Sequence, residues 1–149
     1  MLPRSYDGQD CSIAGALEIV GDRWTLLVLR EAFLGNRRFD GIQGRLGIAR
    51  NVLTDRLARL VEDGLLERVA YQERPERFEY RLTGKGLDLW PVLVALMQWG
   101  DRYRDDGRRP MVLRHRGCSG EVDDRRHCTD CGAALGPRDV VGLAAAPVR

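Results

Sequence analysis

The stretch from Arg38 to Leu82 limits the possible folds of this 149-residue chain more than any other. In its middle part, 49–63, apolar residues recur at the spacing of one helix face, and the turn Gly47-Ile48 separates this part from a shorter helical stretch over 39–46. The apolar positions are Leu53, Leu57, Leu60 and Val61. Gly64 follows them, as glycine does where a helix ends at a positive φ. Two helices joined by so tight a turn predict a helix-turn-helix motif, with 49–63 as the recognition helix.

Two short strands are predicted directly after this motif. Leu66 to Tyr71 reads as the first, and Phe78 to Leu82 alternates apolar and polar residues, which is typical of a half-buried strand. The polar segment 72–77 between them contains Pro75, a residue that is rare inside strands. A hairpin that follows a recognition helix is a wing. The predicted fold class is therefore mainly α with a small β-hairpin wing, a winged helix-turn-helix.

Helices are also predicted on both sides of this region. Two lie upstream, over 11–20 and 23–34, with Asp22 as the cap of the second. Downstream, Thr83 caps a long helix over 86–104, which Pro91 kinks or splits in two. The predicted organisation is a flexible arm over 1–10, a DNA-binding and dimerisation domain over 11–104, a linker over 105–114, a Cys/His zinc-ribbon-like appendage over 115–138 and a tail over 139–149.

The face of the recognition helix opposite its apolar stripe carries groups suited to DNA. Arg50 and Asn51 lie in the first turn, where a recognition helix reaches base edges, and their side chains can pair with guanine and adenine. The other predicted DNA contacts are Thr54 and Asp55 on the same face, Arg38 and Arg59 at phosphates, and Arg74 and Arg77 on the wing. Asp55 has the alternative of pairing with Arg59 at i+4. For each residue alone, a solvated helix face is the competing interpretation.

Composition neither demands nor excludes a nucleic-acid partner. The net charge is only +2, so the argument for DNA depends on where the charges lie. Of the 24 basic residues, Lys85 is the one lysine, and arginine suits bidentate contacts with phosphate and guanine; codon bias is the competing explanation. Neither an apolar stretch long enough to span a membrane nor the apolar core of a signal peptide is present, so we expect a cytoplasmic protein without membrane contact.

Three of the four cysteines cluster late in the chain, with a histidine beside them. The residues His115, Cys118, Cys128 and Cys131 follow the pattern H-x2-C-x9-C-x2-C. Two closely spaced ligand pairs at this separation favour a tetrahedral zinc site, and metal binding would supply folding energy to a segment with few apolar residues. His127 is an alternative fourth ligand. A Cys128–Cys131 redox pair and free thiols are the alternatives to zinc.

The downstream helix is unusually apolar for an element near a domain edge, which favours a dimer surface over plain core packing. Together with the first helix it supplies the predicted interface residues, which are Ile13, Leu17, Leu87, Trp90, Val94, Met97 and Tyr103.

Several motifs, in order, resemble the HxlR family of bacterial transcriptional regulators, which are MarR-like. They are Cys11, then 21–30 (GDRWTLLVLR), 39–46, 53–57 (LTDRL), 62–66 (EDGLL), 80–83 and 99–101. The resemblance covers about residues 11–103. It implies a winged helix-turn-helix homodimer, joined through helices from both ends of the chain, that binds an operator with two half-sites. Ala49 departs from the family pattern, in which serine or threonine often opens the recognition helix, so a cap and a phosphate contact are missing.

Cys11 is the predicted redox sensor, because some members of the family sense oxidants or electrophiles through a cysteine at this position. A thiol at a helix start also favours its thiolate form. The competing interpretation is a small core residue.

Three classes of function remain to be compared. A DNA-binding regulator, responsive to an oxidant or a small molecule, is the leading prediction; a zinc-bearing winged-helix adaptor for protein–protein contacts is the alternative. An enzyme is not expected, because no nucleophile motif, phosphate loop or paired carboxylates are found. The aromatic residues Trp24, Phe33, Trp90 and Trp99 are candidates for an effector pocket, with core packing as the competing interpretation.

Overall fold

The computed structural model describes residues 5–144, which form one compact unit up to Gly86 and a second from Leu87 onward. Residues 1–4 of the predicted arm and 145–149 of the predicted tail lie outside the described residues. The first unit contains α1 (Ser12–Val20), α2 (Thr25–Phe33), α3 (Phe39–Leu46), α4 (Arg50–Glu62), β1 (Leu66–Glu73) and β2 (Glu76–Leu82). The helix α5 (Gly84–Leu87) follows; α6 (Trp90–Arg102), β3 (Met111–His115) and β4 (Val140–Ala144) belong to the second unit.

The core of the first unit forms where the helices and the hairpin bring their apolar faces together. Its buried side chains are Val28, Leu29, Ile42, Leu53, Leu57, Leu60, Leu65 and Leu66. The leucine stripe of α4 is thus buried as its spacing predicts. At about 25 cal/mol per Å² of apolar surface removed from water, this burial is the main term that holds α4 in place.

Glycines end α3 and α4 where the chain has to reverse. Gly47 has φ +64° and donates its N–H to the carbonyl of Gln43, and Gly64 has φ +77° after α4. Both residues adopt the left-handed conformation that only glycine enters without strain. The strands β1 and β2 then pair antiparallel, with Leu66 opposite Leu82, which confirms the predicted wing and with it the fold class.

The predicted long helix after the wing is two helices. Thr83 caps α5, because its Oγ1 accepts the N–H of Gly86 at 3.1 Å, as predicted. The helix α6 begins only at Trp90, with Pro91 in its first turn, where the fixed φ and missing N–H of proline cost nothing. Asp22, in contrast, does not cap α2 through its side chain.

The second unit contains a sheet that was not predicted. The strands β3 and β4 pair antiparallel, with His115 opposite Val140. The predicted linker over 105–114 therefore includes part of a strand, and the predicted tail over 139–149 begins with one. Both assignments were wrong because the pairing joins segments far apart in the chain, each too short to show a clear period. Among the described residues, no helix is long and apolar enough to cross a membrane.

Candidate nucleic-acid interface and metal centre

The outer face of α4 is solvent-exposed, opposite the buried leucine stripe. The exposed residues include the five predicted DNA contacts of this helix, Arg50, Asn51, Thr54, Asp55 and Arg59. They therefore share one accessible surface, which is the geometry that entry into a major groove needs. Their role as DNA contacts stays a prediction.

At the start of α4, the side chain of Arg50 reaches back to α3. Its guanidinium carbon lies 4.7 Å from the centre of the Phe39 ring, and Nη1 lies 3.8 Å from Oδ1 of Asp40. Ala49 occupies the N-cap position and provides no side-chain cap, as expected for alanine. Thr54 donates its hydroxyl to the carbonyl of Arg50 at 2.9 Å.

Farther along α4, acidic and basic side chains form a network. Nε of Arg59 lies 3.2 Å from Oδ2 of Asp55, which is the predicted i+4 pair. Arg56, which sequence reasoning overlooked, lies between Asp55 at 3.1 Å and Asp22 at 2.9 Å. Asp22 thereby links the start of α2 to the recognition helix. No helical periodicity could reveal this, because Asp22 precedes its helix.

The wing and the region before α3 form an open cleft of about 970 Å³ in the first unit. Its basic lining residues are Arg37, Arg38, Arg50 and Arg77. Acidic residues line it too, among them Glu79, whose pKa is lowered first by a hydrogen bond from Arg81 and further by the charges of Arg37 and Arg38. Arg74 and Arg77 are exposed near the tip of the hairpin, as predicted.

A buried carboxylate, Glu31 of α2, positions α3. The residue is 0% exposed. Oε1 accepts from Nη2 of Arg30 at 2.8 Å, and Oε2 accepts from Nε of Arg45 at 2.7 Å and from Asn36 at 3.3 Å. Burial raises the pKa of Glu31, but the hydrogen bonds from Arg30, Asn36 and Arg45 outweigh it, so the pKa lies below its ordinary value. A glutamate amid the apolar residues of a helix gave no sign that Arg45 of α3, 14 positions later, is one of its partners.

In the second unit, the structure brings together the four predicted metal ligands. One ligand atom from each of His115, Cys118, Cys128 and Cys131 lies within 4.8 Å of the others. The Sγ atoms of Cys118 and Cys128 are 3.7 Å apart, and Sγ of Cys131 is 3.4 Å from Nδ1 of His115. A regular tetrahedron around zinc, with Zn–S of about 2.3 Å and Zn–N of about 2.1 Å, has edges of about 3.5–3.8 Å. The cluster therefore could hold a metal ion.

The pKa values of two thiols in this Cys/His cluster shift in opposite directions. The backbone N–H of Ala133 lowers the pKa of Cys131, but the neighbouring Cys128 and Cys118 sulfurs and burial outweigh it, so the pKa of Cys131 is raised. The pKa of Cys128 is lowered to about 6, chiefly by the backbone N–H of Cys131 and also by that of Asp130. Gly120 lies against the cluster, since a Cβ there would collide with Sγ of Cys128 and lie 2.9 Å from the amide of Asp130. His127, the alternative ligand, is outside the cluster and has Nδ1 3.1 Å from the carbonyl of Arg125.

Cys11, the predicted sensor, is exposed at the N-cap of α1. The backbone N–H groups of Ala14 and Ile13 lower the pKa of its thiol, because they stabilise the thiolate. The interpretation as a core residue loses support, because the side chain is not buried.

The predicted dimer residues differ in their exposure. Ile13 and Leu17 of α1 are 71% and 41% exposed, and Tyr103 is 64% exposed. Trp90 and Val94 are buried within the single chain, so their selection as interface residues was wrong. Leu87 and Met97 are half-buried. The exposed apolar side chains of α6 are instead Val92, Leu96 and Trp99, because an apolar stripe alone does not distinguish a core face from an interface.

A winged helix-turn-helix with an exposed, arginine-bearing recognition helix defines the class of DNA-binding transcriptional regulators. The model of the HxlR-like helix-turn-helix family matches residues 19–108, so this chain belongs to the HxlR family. The family resemblance is thereby confirmed, as are the predictions that the protein is a transcriptional regulator and not an enzyme.

Known relatives agree with this assignment. The uncharacterized HTH-type transcriptional regulator Rv3095 of Mycobacterium tuberculosis is 50% identical over 141 residues, which cover 93% of this chain and 87% of the relative. The crystal structure of PA1607, a proposed transcription factor, has a TM-score of 0.70 and 35% identity, covering 96% of this chain and 99% of that one. The redox regulator HypR in its oxidized form has a TM-score of 0.58 and 28% identity, covering 64% of this chain and 99% of HypR.

Proposed function

We propose that this regulator binds double-stranded operator DNA as a homodimer, with α4 of each subunit in successive major grooves of a site with two half-sites. The observation that carries the proposal is the exposed polar face of α4, on which Arg50, Asn51 and Thr54 lie close to the helix start. The centre of a protein-docking surface is depleted in charged residues. The face of α4 therefore favours an operator over the adaptor role.

Two substitutions distinguish base contacts from phosphate contacts when binding affinity is measured on the promoter DNA next to the gene of this protein. Arg50→Ala should cost about 1–3 kcal/mol of binding free energy and relax the sequence preference. Arg77→Ala should weaken binding to all sequences and reduce the salt slope by about one. Arg125→Ala removes an equal charge from the exposed surface of the second unit and serves as the control. Unchanged affinity in both wing and helix variants would contradict the groove assignment.

The dimer would form through apolar side chains that the single chain leaves exposed. On α1 these are Ile13 and Leu17, and on α6 they are Val92, Leu96 and Trp99, with Tyr103 just beyond its end. Val92, Leu96 and Trp99 are spaced i, i+4 and i+7, so they lie on one face of α6, and a contiguous exposed apolar patch is typical of an interaction surface. Burial between two copies would account for both sets.

The Cys/His cluster is proposed to bind one structural zinc ion. Three thiolates and one imidazole are the ligands that zinc prefers, and their spacing in the structure suits tetrahedral coordination. Because all four positions come from the protein, the site would stabilise the fold of the second unit rather than catalyse a reaction.

Matched variants test the zinc proposal by elemental analysis of reduced, freshly purified protein. The native chain and Cys11→Ser should carry about one zinc per chain, whereas Cys128→Ser should lose most of it. His115→Ala should also lose metal, and His127→Ala should retain it. Native protein without zinc, and with two thiols lost on mild oxidation, would instead support the Cys128–Cys131 redox pair.

Cys11 is proposed to sense oxidants. With a hydroperoxide as oxidant, the Cys11 thiols of two subunits would give up two electrons and two protons, join in a disulfide and leave water and an alcohol. The resulting link would shift the dimer and with it the spacing of the two α4 helices. The exposed thiol with its lowered pKa supports this role, and the similarity to the redox regulator HypR agrees with it.

The sensor role is tested by DNA binding before and after hydroperoxide treatment. Native protein should change its affinity and form a linked dimer on non-reducing gels, whereas Cys11→Ser should do neither. An unchanged response in Cys11→Ser would eliminate Cys11 as the sensor. We further propose that the protein acts in the cytoplasm, where thiols stay reduced. A small-molecule effector is proposed as the alternative to an oxidant signal.

A further inference from the structure

Two of the arginines predicted to contact DNA are held against aromatic rings. The guanidinium carbon of Arg38 lies 4.1 Å from the centre of the Tyr71 ring, and that of Arg50 lies 4.7 Å from the centre of the Phe39 ring. All four residues line the cleft between the wing and the region before α3. Within residues 5–144, Arg38 has no carboxylate oxygen within ion-pair distance, so the ring is its main observed partner.

The backbone of the wing is irregular where it provides Tyr71. Ala70 pairs with Phe78 and Gln72 pairs with Arg77, so Tyr71 is the extra residue of a β-bulge. A bulge changes the direction of a side chain relative to a regular strand. The backbone next to Arg38 is also attached to the wing, because Tyr80 of β2 donates its N–H to the carbonyl of Arg37 at 2.7 Å.

An arginine that stacks on an aromatic ring is already oriented to bind a phosphate. Its side chain carries about 2 kcal/mol of rotamer entropy, part of which is lost before DNA arrives if a ring already holds the guanidinium. Stacking uses the face of the guanidinium and leaves its N–H groups, which lie in the plane, free to donate to phosphate oxygens.

We propose that Tyr71 is a positioning residue for DNA binding, which holds the Arg38 guanidinium in the cleft for a backbone phosphate. This inference rests on the proposed function, because it assumes that the wing and α4 lie on DNA. Tyr71 itself need not contact DNA; its contribution passes through Arg38. The effect is therefore expected to be equal on all DNA sequences.

The test measures binding by fluorescence anisotropy to a mixed-sequence duplex of about 30 base pairs, at salt concentrations from about 50 to about 200 mM. Tyr71→Ala should weaken binding about two- to five-fold, the size of an exposed cation–π contact. Tyr71→Phe keeps the ring and should bind like the native protein. Arg68→Ala is the matched control, because Arg68 also stacks on a wing ring, Phe78 at 3.6 Å, but does not line the cleft.

The deciding variant combines Tyr71→Ala with Arg38→Ala. If Tyr71 acts through Arg38, the double variant should bind no more weakly than Arg38→Ala alone. The inference would be overturned if Tyr71→Ala caused the same loss of affinity in the native and the Arg38→Ala backgrounds, or if Tyr71→Ala bound DNA like the native protein. It would also be overturned if Tyr71→Phe or Arg68→Ala lost as much affinity as Tyr71→Ala. Circular dichroism checks that every variant is folded. Failure of the native protein to bind any duplex would instead count against the proposed function.

Discussion

Replacing Glu31 with glutamine tests whether a buried carboxylate holds the helix-turn-helix together. Both carboxylate oxygens accept hydrogen bonds, one from Arg30 and the other from Arg45 and Asn36. An amide can accept with one oxygen only, so at least one charge-assisted bond is lost and a buried NH₂ group is left facing other donors. Glu31 is fully buried, which rules out rescue by solvent at the carboxylate itself.

The magnitude follows from the exposure of the partners. Breaking a buried ion pair costs about 3–5 kcal/mol when the remaining charge stays buried. Here the side chains of Arg30 and Arg45 are 41% and 60% exposed, so water can solvate them after the change. We therefore expect Glu31→Gln to lower the free energy of unfolding by about 2–4 kcal/mol.

Urea denaturation at fixed protein concentration measures this loss, with Glu67→Gln, an exposed carboxylate on β1, as the control. The control should change stability by less than about 0.5 kcal/mol. Because the folded pKa of Glu31 is lowered, its contribution is present above about pH 4.3 and is lost as the pH falls through the folded pKa. The difference between native protein and Glu31→Gln should shrink on acidification. Equal stability of the two at pH 7 would refute the reasoning.

Three further substitutions address other parts of the chain. If the Cys/His cluster binds zinc as proposed, Gly120→Ala should release it faster to a chelator, since the added Cβ collides with Sγ of Cys128. Release at the native rate would contradict the close packing of Gly120 against the cluster. Trp99→Asp should shift the proposed dimer toward monomer in sedimentation, whereas Asp101→Asn on the same helix should not. Thr83→Val removes the cap of α5 and should lower the free energy of unfolding in urea by about 1–2 kcal/mol. An unchanged free energy of unfolding would show that the hydroxyl does not stabilise α5.

The winged helix was predictable because its signals are local. The leucines of α4 recur with the helical period over about two turns, Gly47 marks the end of α3, and Gly64 marks the end of α4. Local patterns of this kind hardly depend on the rest of the chain. The Cys/His cluster was predictable for a similar reason, since closely spaced Cys and His pairs allow few chemical explanations.

The features that could not be predicted from the sequence depend on contacts between residues far apart in the chain. The strand β4 is defined by its pairing with β3, in which Val140 lies opposite His115, a residue 25 positions earlier in the chain. Asp22 was expected to cap α2, but its carboxylate lies 2.9 Å from Arg56 of α4. The buried side of α6 was mistaken for its exposed side, because Trp90 and Trp99 suit a core and an interface equally well. Periodicity identifies an apolar face but not what covers it.

The most direct test of operator binding by α4 is selection of bound duplexes from a random-sequence pool by the reduced protein. Native protein should enrich a sequence with two-fold symmetry and half-sites about one helical turn apart. Asn51→Ala should lose preference at one position of each half-site. A native selection without enrichment, or an enriched sequence that Arg50→Ala and Asn51→Ala select unchanged, would contradict the assignment of α4 as the recognition helix.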